Sequence, residues 1–238
     1  MQIKKRLQYP LWKTPYFFIK TIIIILKLLR TGILIFLIEN KFFNNKLRLT
    51  LKFLNFFFSK RNNEEIGKRL LDCLIHLGPG YIKFGQALST RPDLVGKDIC
   101  DFLKILQDNL KTIPNSIAKK VIHNENEKFL QDHLASFYEK PIASASVAQV
   151  HTGILKNGEK VAIKILKPNI QNLLFKDFTF FYWIAKCLEF IFPNIKRLKL
   201  TKNVEVLSEV SLNELDLRLE ASAADELAEN FKNHSNYR

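Results

Sequence analysis

Apolar residues keep helical spacing in one part of this chain, and a stretch rich in β-branched residues follows it. Ile66, Leu70, Leu74 and Leu77 keep helical spacing on one face. Asn63 is a candidate N-cap for that helix, Glu64 and Glu65 suit its first turn, and Gly78-Pro79-Gly80 ends it. Tyr81 to Thr90 predicts a second short helix, stopped by Arg91-Pro92. Further helices are expected over Asp98 to Asn109, Ser116 to Asn124 and Glu127 to Tyr138, the first two separated by Thr112-Ile113-Pro114. The composition then changes. Ser146 to Leu155 is rich in β-branched residues and reads as a strand. Lys156-Asn157-Gly158-Glu159 is the expected hairpin turn, its Asn-Gly supplying positive φ angles, and Val161 to Lys164 is the returning strand. Pro168 sits where a helix can start. Gln171 to Phe192 is strongly apolar and aromatic, as core packing requires, and Thr201 to about Lys232 reads as one long helix. Helices around a small antiparallel sheet make an α+β chain.

Composition changes this picture at one end only. The net charge is +14, and residues 1–61 hold 13 Lys and Arg against the single acid Glu39. The other 24 basic and 22 acidic residues nearly cancel, so one segment is basic rather than the whole protein. In that segment Lys20, Lys27 and Arg30 interrupt the apolar runs Thr21 to Leu26 and Gly32 to Ile38. A membrane-spanning helix needs roughly 20 apolar residues with few charges, and the segment falls short. No small-residue site closes the run as a signal peptide requires. Two readings remain: an interfacial helix on an anionic membrane, or a buried helix with solvated lysines. No nucleic-acid motif accompanies the charge. Cys73, Cys100 and Cys187 are scattered and the five histidines lack ligand spacing, which argues against a disulfide or metal scaffold and fits a reducing compartment.

The candidate chemistry lies around the hairpin. Ala143, Ser144, Ala145, Ser146 and Val147 form a small-residue loop whose backbone N–H groups can face phosphate oxygens, and Lys164 supplies a point charge. The competing reading is an edge hairpin with a solvated lysine. Lys83 and Gln86 lie three apart and share a helical face. On the long helix Asp216 and Glu220 share a face, with Glu214 about 120° from Glu220 at about 100° per residue. Two acids on different faces can serve two partners.

Four segments in this order decide between those readings: Lys83-Phe84-Gly85-Gln86, the small-residue loop with Gln149-Val150-His151, Lys164, and Glu214-Leu215-Asp216 with Glu220. Together they resemble the UbiB family of atypical protein-kinase-like proteins, linked to ubiquinone biosynthesis, from about Asn62 onward. The resemblance implies a kinase-like N-lobe over 138–238, a helical extension over 62–137 carrying the K-F-G-Q motif, and the basic segment 1–61. It implies ATP at the loop and Lys164, Glu220 pairing with Lys164, and Glu214 pairing with Lys83. It also implies a further helix between the strand lysine and the helix of Glu220. The catalytic Asp and the magnesium ligands of a kinase are expected beyond Arg238, with the C-lobe absent, so no catalytic or metal-binding residue is expected in this chain and no turnover of ATP by it alone. The expected partners are an anionic membrane surface and ubiquinone-biosynthesis proteins or lipid intermediates. Three readings of the chain's extent stay open, a truncated reading frame, one piece of a split gene or a partial record, and on the second a separately encoded C-terminal half is a partner. The implied place is peripheral, at the cytoplasmic face of a bacterial inner membrane. Alanine where kinases have glycine restricts the loop backbone, and in the family this goes with an ATPase-like role. A non-catalytic module that anchors biosynthetic partners is the alternative.

Overall fold

The computed structural model describes Leu7 and residues 14–30, 65–108, 110–232 and 234. The expected cap at Asn63 with Glu64, and the apolar run Gly32 to Ile38, lie outside the described residues.

Helix α1 (Thr14–Arg30) is followed by α2 (Ile66–Leu77) and α3 (Pro79–Ser89), which meet at Gly78. That glycine has φ 117°, where side chains are strained, and it ends one helix while starting the next. Pro79 takes the first helical position, where a missing N–H costs nothing. Pro92 likewise starts a short helix that the sequence pattern did not announce, α4 (Pro92–Val95). The helix expected from Asp98 divides into α5 (Lys97–Leu103) and α6 (Ile105–Asp108) at Lys104. Leu103 and Leu106, one on each side of that division, are both fully buried.

Where two helices were expected there is one, α7 (Asn115–His133). The polar stretch Asn124 to Glu127 contains neither Gly nor Pro, so nothing stops propagation. The last part of the expected helix is a strand, β1 (Leu134–Phe137), because an edge of the sheet captures it. It pairs Leu134 with Leu155 and Phe137 with Gly153, a tertiary contact that outweighs local preference. The sheet is antiparallel and centred on β3 (Ala148–Leu155). The strand β4 (Lys160–Leu166) lies along one side of it, and β1 and the two-residue β2 (Ala143–Ser144) share the other.

The turn between β3 and β4 differs from the expected one. Gly158 has φ 92°, while Asn157 keeps negative φ. The Asn157 side chain instead accepts the Glu159 N–H at 3.0 Å. This is a type I turn closed by a glycine bulge, in which asparagine acts through its side chain.

The aromatic helix α8 (Ile170–Ile191) is core, as its composition required. Phe180 and Trp183 pack with Phe17, Leu71, Leu74, Tyr81 and Leu106. Leu174, Phe178 and Tyr182 pack with Val147 and Ala148 at the root of β3. One helix thus joins the helical extension to the sheet. A 3-10 turn (Pro193–Leu198) leads to α9 (Leu200–Asn213) and α10 (Leu217–Asn230). The single long helix expected over Thr201 to Lys232 is therefore broken at Glu214 to Asp216. Asp216 leaves the helical conformation and caps α10, accepting the Arg218 N–H at 3.2 Å. A short polar side chain competes with the helix for backbone bonds, and here it wins. The result is an α+β chain of the class expected.

Candidate nucleotide site

Lys164 stands on β4 opposite Val150. Glu220, in the first turn of α10, puts a carboxylate oxygen 2.5 Å from the Lys164 Nζ. The two side chains are 37% and 60% exposed, so this pair faces an open side of the sheet. An open ion pair contributes up to about 1 kcal/mol to stability and leaves the lysine accessible to another anion.

The second pair is enclosed. Lys83 of α3 is buried and donates to Glu214, the residue that follows α9. Only 8% of the Lys83 side chain is exposed, so its ammonium depends on that carboxylate for what water no longer provides. The break in the helix, rather than the angle around a continuous one, sends Glu214 and Glu220 to different lysines. Gln86 joins neither pair. Its Nε2 donates to the Leu106 carbonyl at 2.7 Å and fastens α3 to α6. Asp216 is also occupied elsewhere. The Arg218 guanidinium grips it with two bonds of 2.7 Å and holds its carboxyl below the usual range.

The small-residue loop turns back sharply onto β3. Ala143 pairs with Val150 and Ser144 with Gln149, and the Ala145 N–H donates to the Ala148 carbonyl at 2.9 Å. Ser144 is buried and its hydroxyl donates to the Lys111 carbonyl at 3.1 Å. Val147 accepts the Lys167 N–H at 2.8 Å. Among the described residues, none accepts from the N–H of Ser146 or of Val147. Ser146 and Val147 are themselves buried, and two adjacent N–H groups without protein acceptors are donors that an anion can meet.

Two further groups had no structural role assigned from the sequence, the Gln149 and His151 of the second segment and Asp177. Gln149 and His151 are fully buried and link three segments. Gln149 Oε1 accepts the Ile113 N–H at 2.9 Å, Gln149 Nε2 meets His151 Nε2 at 2.8 Å, and His151 Nδ1 lies 3.1 Å from the Tyr138 carbonyl. With Gln149 donating, His151 must carry its proton on Nδ1. Asp177 is the sole acid in the apolar run 170–183, which was its only signal. It accepts the Gly80 N–H at the start of α3 and the Lys20 ammonium of α1, each at 3.2 Å. Burial raises its pKa, and Lys20 with that N–H opposes the shift.

A family model, the ABC1 atypical kinase-like domain, matches residues 105–238, more than half of the chain. The chain belongs to the ABC1 atypical kinase-like family. It is similar to the probable protein kinase UbiB of Aliivibrio fischeri, 39% identical over 175 residues, which are 73% of this chain and 32% of the relative. The corresponding protein of Marinobacter nauticus is 40% identical over 167 residues, 70% of this chain and 30% of the relative. That of Sodalis glossinidius is 38% identical over 192 residues, 78% of this chain and 35% of the relative. The chain thus spans about a third of the length of the curated relatives it matches. A solved structure of Rv3197 with erythromycin, from Mycobacterium tuberculosis, covers 80% of this chain and 46% of its own at 25% identity, with a TM-score of 0.45. The resemblance to UbiB proteins drawn from the four segments agrees with these matches. Within this family chain, no group of three or more His, Cys, Asp and Glu is placed to hold a metal ion among the described residues. No helix among them is long and apolar enough to cross a membrane.

Proposed function

We propose that this chain is the nucleotide-holding lobe of an ATP-dependent atypical kinase or ATPase that supports the ring-hydroxylation and other modification steps of ubiquinone biosynthesis. The observation that carries the reading is a strand lysine, Lys164, in an ion pair with Glu220, on the strand whose Leu166 pairs with Ala148, the residue directly after a small-residue turn that has two N–H groups to spare. A triphosphate needs such a cradle: point charge on one side, backbone donors on the other. Ala143 to Val147 and Lys164 would hold the phosphates. Magnesium, when bound with ATP, supplies charge neutralisation at the phosphates, and its protein ligands would come from a C-lobe outside this chain. Lys83 with Glu214 would set the position of α3 over the pocket. The test is binding of a fluorescent ATP analogue to the 238-residue chain, beside Lys164→Ala. Weak, saturable binding that the substitution lowers at least about tenfold is expected for loss of a charge-assisted contact. Equal binding by both proteins would overturn the reading.

A specific observation favours a second role beside this one. Tyr16, Phe18, Ile19, Ile22, Ile23 and Leu26 of α1 are exposed, while Phe17 is buried against α8. An apolar face on a helix within a segment of 13 basic residues and one acid fits the surface of an anionic membrane. On this reading the protein works peripherally at the cytoplasmic face of the membrane, where lipid intermediates and other biosynthetic proteins are its partners.

A further inference from the structure

Lys167 grips the small-residue turn and stands on the face of the sheet opposite Lys164. The two lysines are three residues apart, and an odd spacing at the end of a strand sends side chains to opposite faces of the sheet. Lys164 reaches Glu220 on the open face. The Lys167 ammonium donates to the Ala145 carbonyl at 2.7 Å and to the Lys111 carbonyl at 3.1 Å. Its own backbone N–H holds the Val147 carbonyl at 2.8 Å. One residue therefore fixes the turn at two points, on either side of Ser146.

The Lys111 carbonyl is the shared anchor. It also accepts the Ser144 hydroxyl, and the neighbouring Leu110 N–H donates to the Ser144 carbonyl at 3.2 Å. Among the described residues no carboxylate pairs with Lys167. A half-buried ammonium normally finds an acid; this one is held by backbone carbonyls alone, and burial lowers its pKa. Such a group has a use if those carbonyls must be kept where they are. A peptide unit whose carbonyl points toward the ammonium has its N–H fixed in the opposite sense, because the unit is planar. Holding the Ala145 carbonyl therefore fixes the Ser146 N–H, one of the two donors left without a partner. The Val147 carbonyl is held by the Lys167 backbone in the same way.

We propose that Lys167 is a positioning residue for nucleotide binding: its ammonium clasps Ala145 to Lys111 and keeps the Ser146 N–H turned toward the phosphates. The inference rests on the nucleotide reading of the loop. The experiment uses the 238-residue chain as wild type, Lys167→Met and Lys167→Arg. Two quantities are followed: the affinity for a fluorescent ATP analogue, and hydrogen exchange at the amides of Ala145 and Lys167. In Lys167→Met we expect exchange at Ala145 and nucleotide dissociation constant both to rise about tenfold, the order expected when a charged hydrogen bond is lost. Amides of α2 and α3 should exchange as in wild type, which separates a loosened turn from a general loss of fold. Lys167→Arg keeps a cation able to meet two carbonyls and should restore most of both effects. If wild type bound no nucleotide, the reading of the loop would fall and the inference with it. If wild type bound and Lys167→Met bound equally well, with unchanged exchange at Ala145, the inference alone would fall. Weaker binding with unchanged exchange would overturn the clasp, since the effect would then come from charge and not from position.

Discussion

Lys83 and Glu214 form the enclosed member of the two lysine–glutamate pairs at the candidate site, joining α3 to the end of α9, and the pair is unequal. The lysine side chain is 8% exposed and the glutamate 44%. Removing the acid therefore leaves a charge with little access to water, whereas removing the lysine leaves an acid that water can reach. Glu214→Ala should cost about 1–3 kcal/mol in a urea melt, and Lys83→Met should cost less. A double variant Lys83→Met with Glu214→Ala should lie closer to wild type than Glu214→Ala alone. Additive losses in that cycle would show the pair to be uncoupled.

The other pair should behave in the opposite way. Lys164 and Glu220 are open to solvent, so Glu220→Gln should change stability by no more than about 1 kcal/mol. Nucleotide binding should nevertheless weaken several-fold, because Lys164 loses the group that orients it. A large drop in melting temperature with unchanged binding would refute this division of labour.

Gln149→Leu tests a link between segments. The substitution keeps the volume but leaves the Ile113 N–H and the His151 ring nitrogen without the partners they have now. Loss of about 1–3 kcal/mol in chemical denaturation is expected. Gln149→Glu should be no better, since it removes the Nε2 donor to His151 and buries a charge.

Asp177 gives a pH dependence whose sign can be worked out. Its folded pKa lies above its ordinary value of 3.8, chiefly through burial. Between these two values the folded state binds more protons than the unfolded one, so this component of stability falls as pH rises through that window. The difference between wild type and Asp177→Asn, followed by urea denaturation against pH, isolates it. Lys20→Met should widen the window upward, because the opposing charge is gone. A flat difference would contradict the assignment.

Membrane contact by α1 is tested by vesicle flotation. Each basic residue near an anionic leaflet adds about 1 kcal/mol. Ile19→Ser with Ile22→Ser and Ile23→Ser should reduce recovery with anionic vesicles while leaving Phe17 and its packing on α8 in place. Equal recovery with neutral and anionic vesicles would remove the electrostatic part of the reading.

What the sequence disclosed was mostly what a local pattern can encode. The helical spacing of Ile66 to Leu77 and the β-branched content of β3 and β4 on either side of an Asn-Gly turn are written in successive side chains, and the structure has those elements. The meeting of Lys164 with Glu220, 56 residues apart, was legible only through resemblance, since nothing local relates the two. The strand β1 was misread because pairing with a distant edge decided it. The break before α10 was misread because the helical period continues across Leu215 and Leu219 while Asp216 caps. Lys167 left no mark for a further reason: its partners are backbone carbonyls, which leave no trace in residue identities, while Asp177 answers a backbone N–H and a lysine 157 residues away.

That break before α10 alters the mechanics of the two ion pairs. On one unbroken rod, any rotation that withdrew Glu220 from Lys164 would drag Glu214 as well, and both contacts would be a single degree of freedom. With a joint at Leu215, α10 can swing on its Asp216 cap while Glu214 stays seated on Lys83. The clamp on α3 and the setting of the strand lysine are thus geometrically separable, where a rod would tie them together.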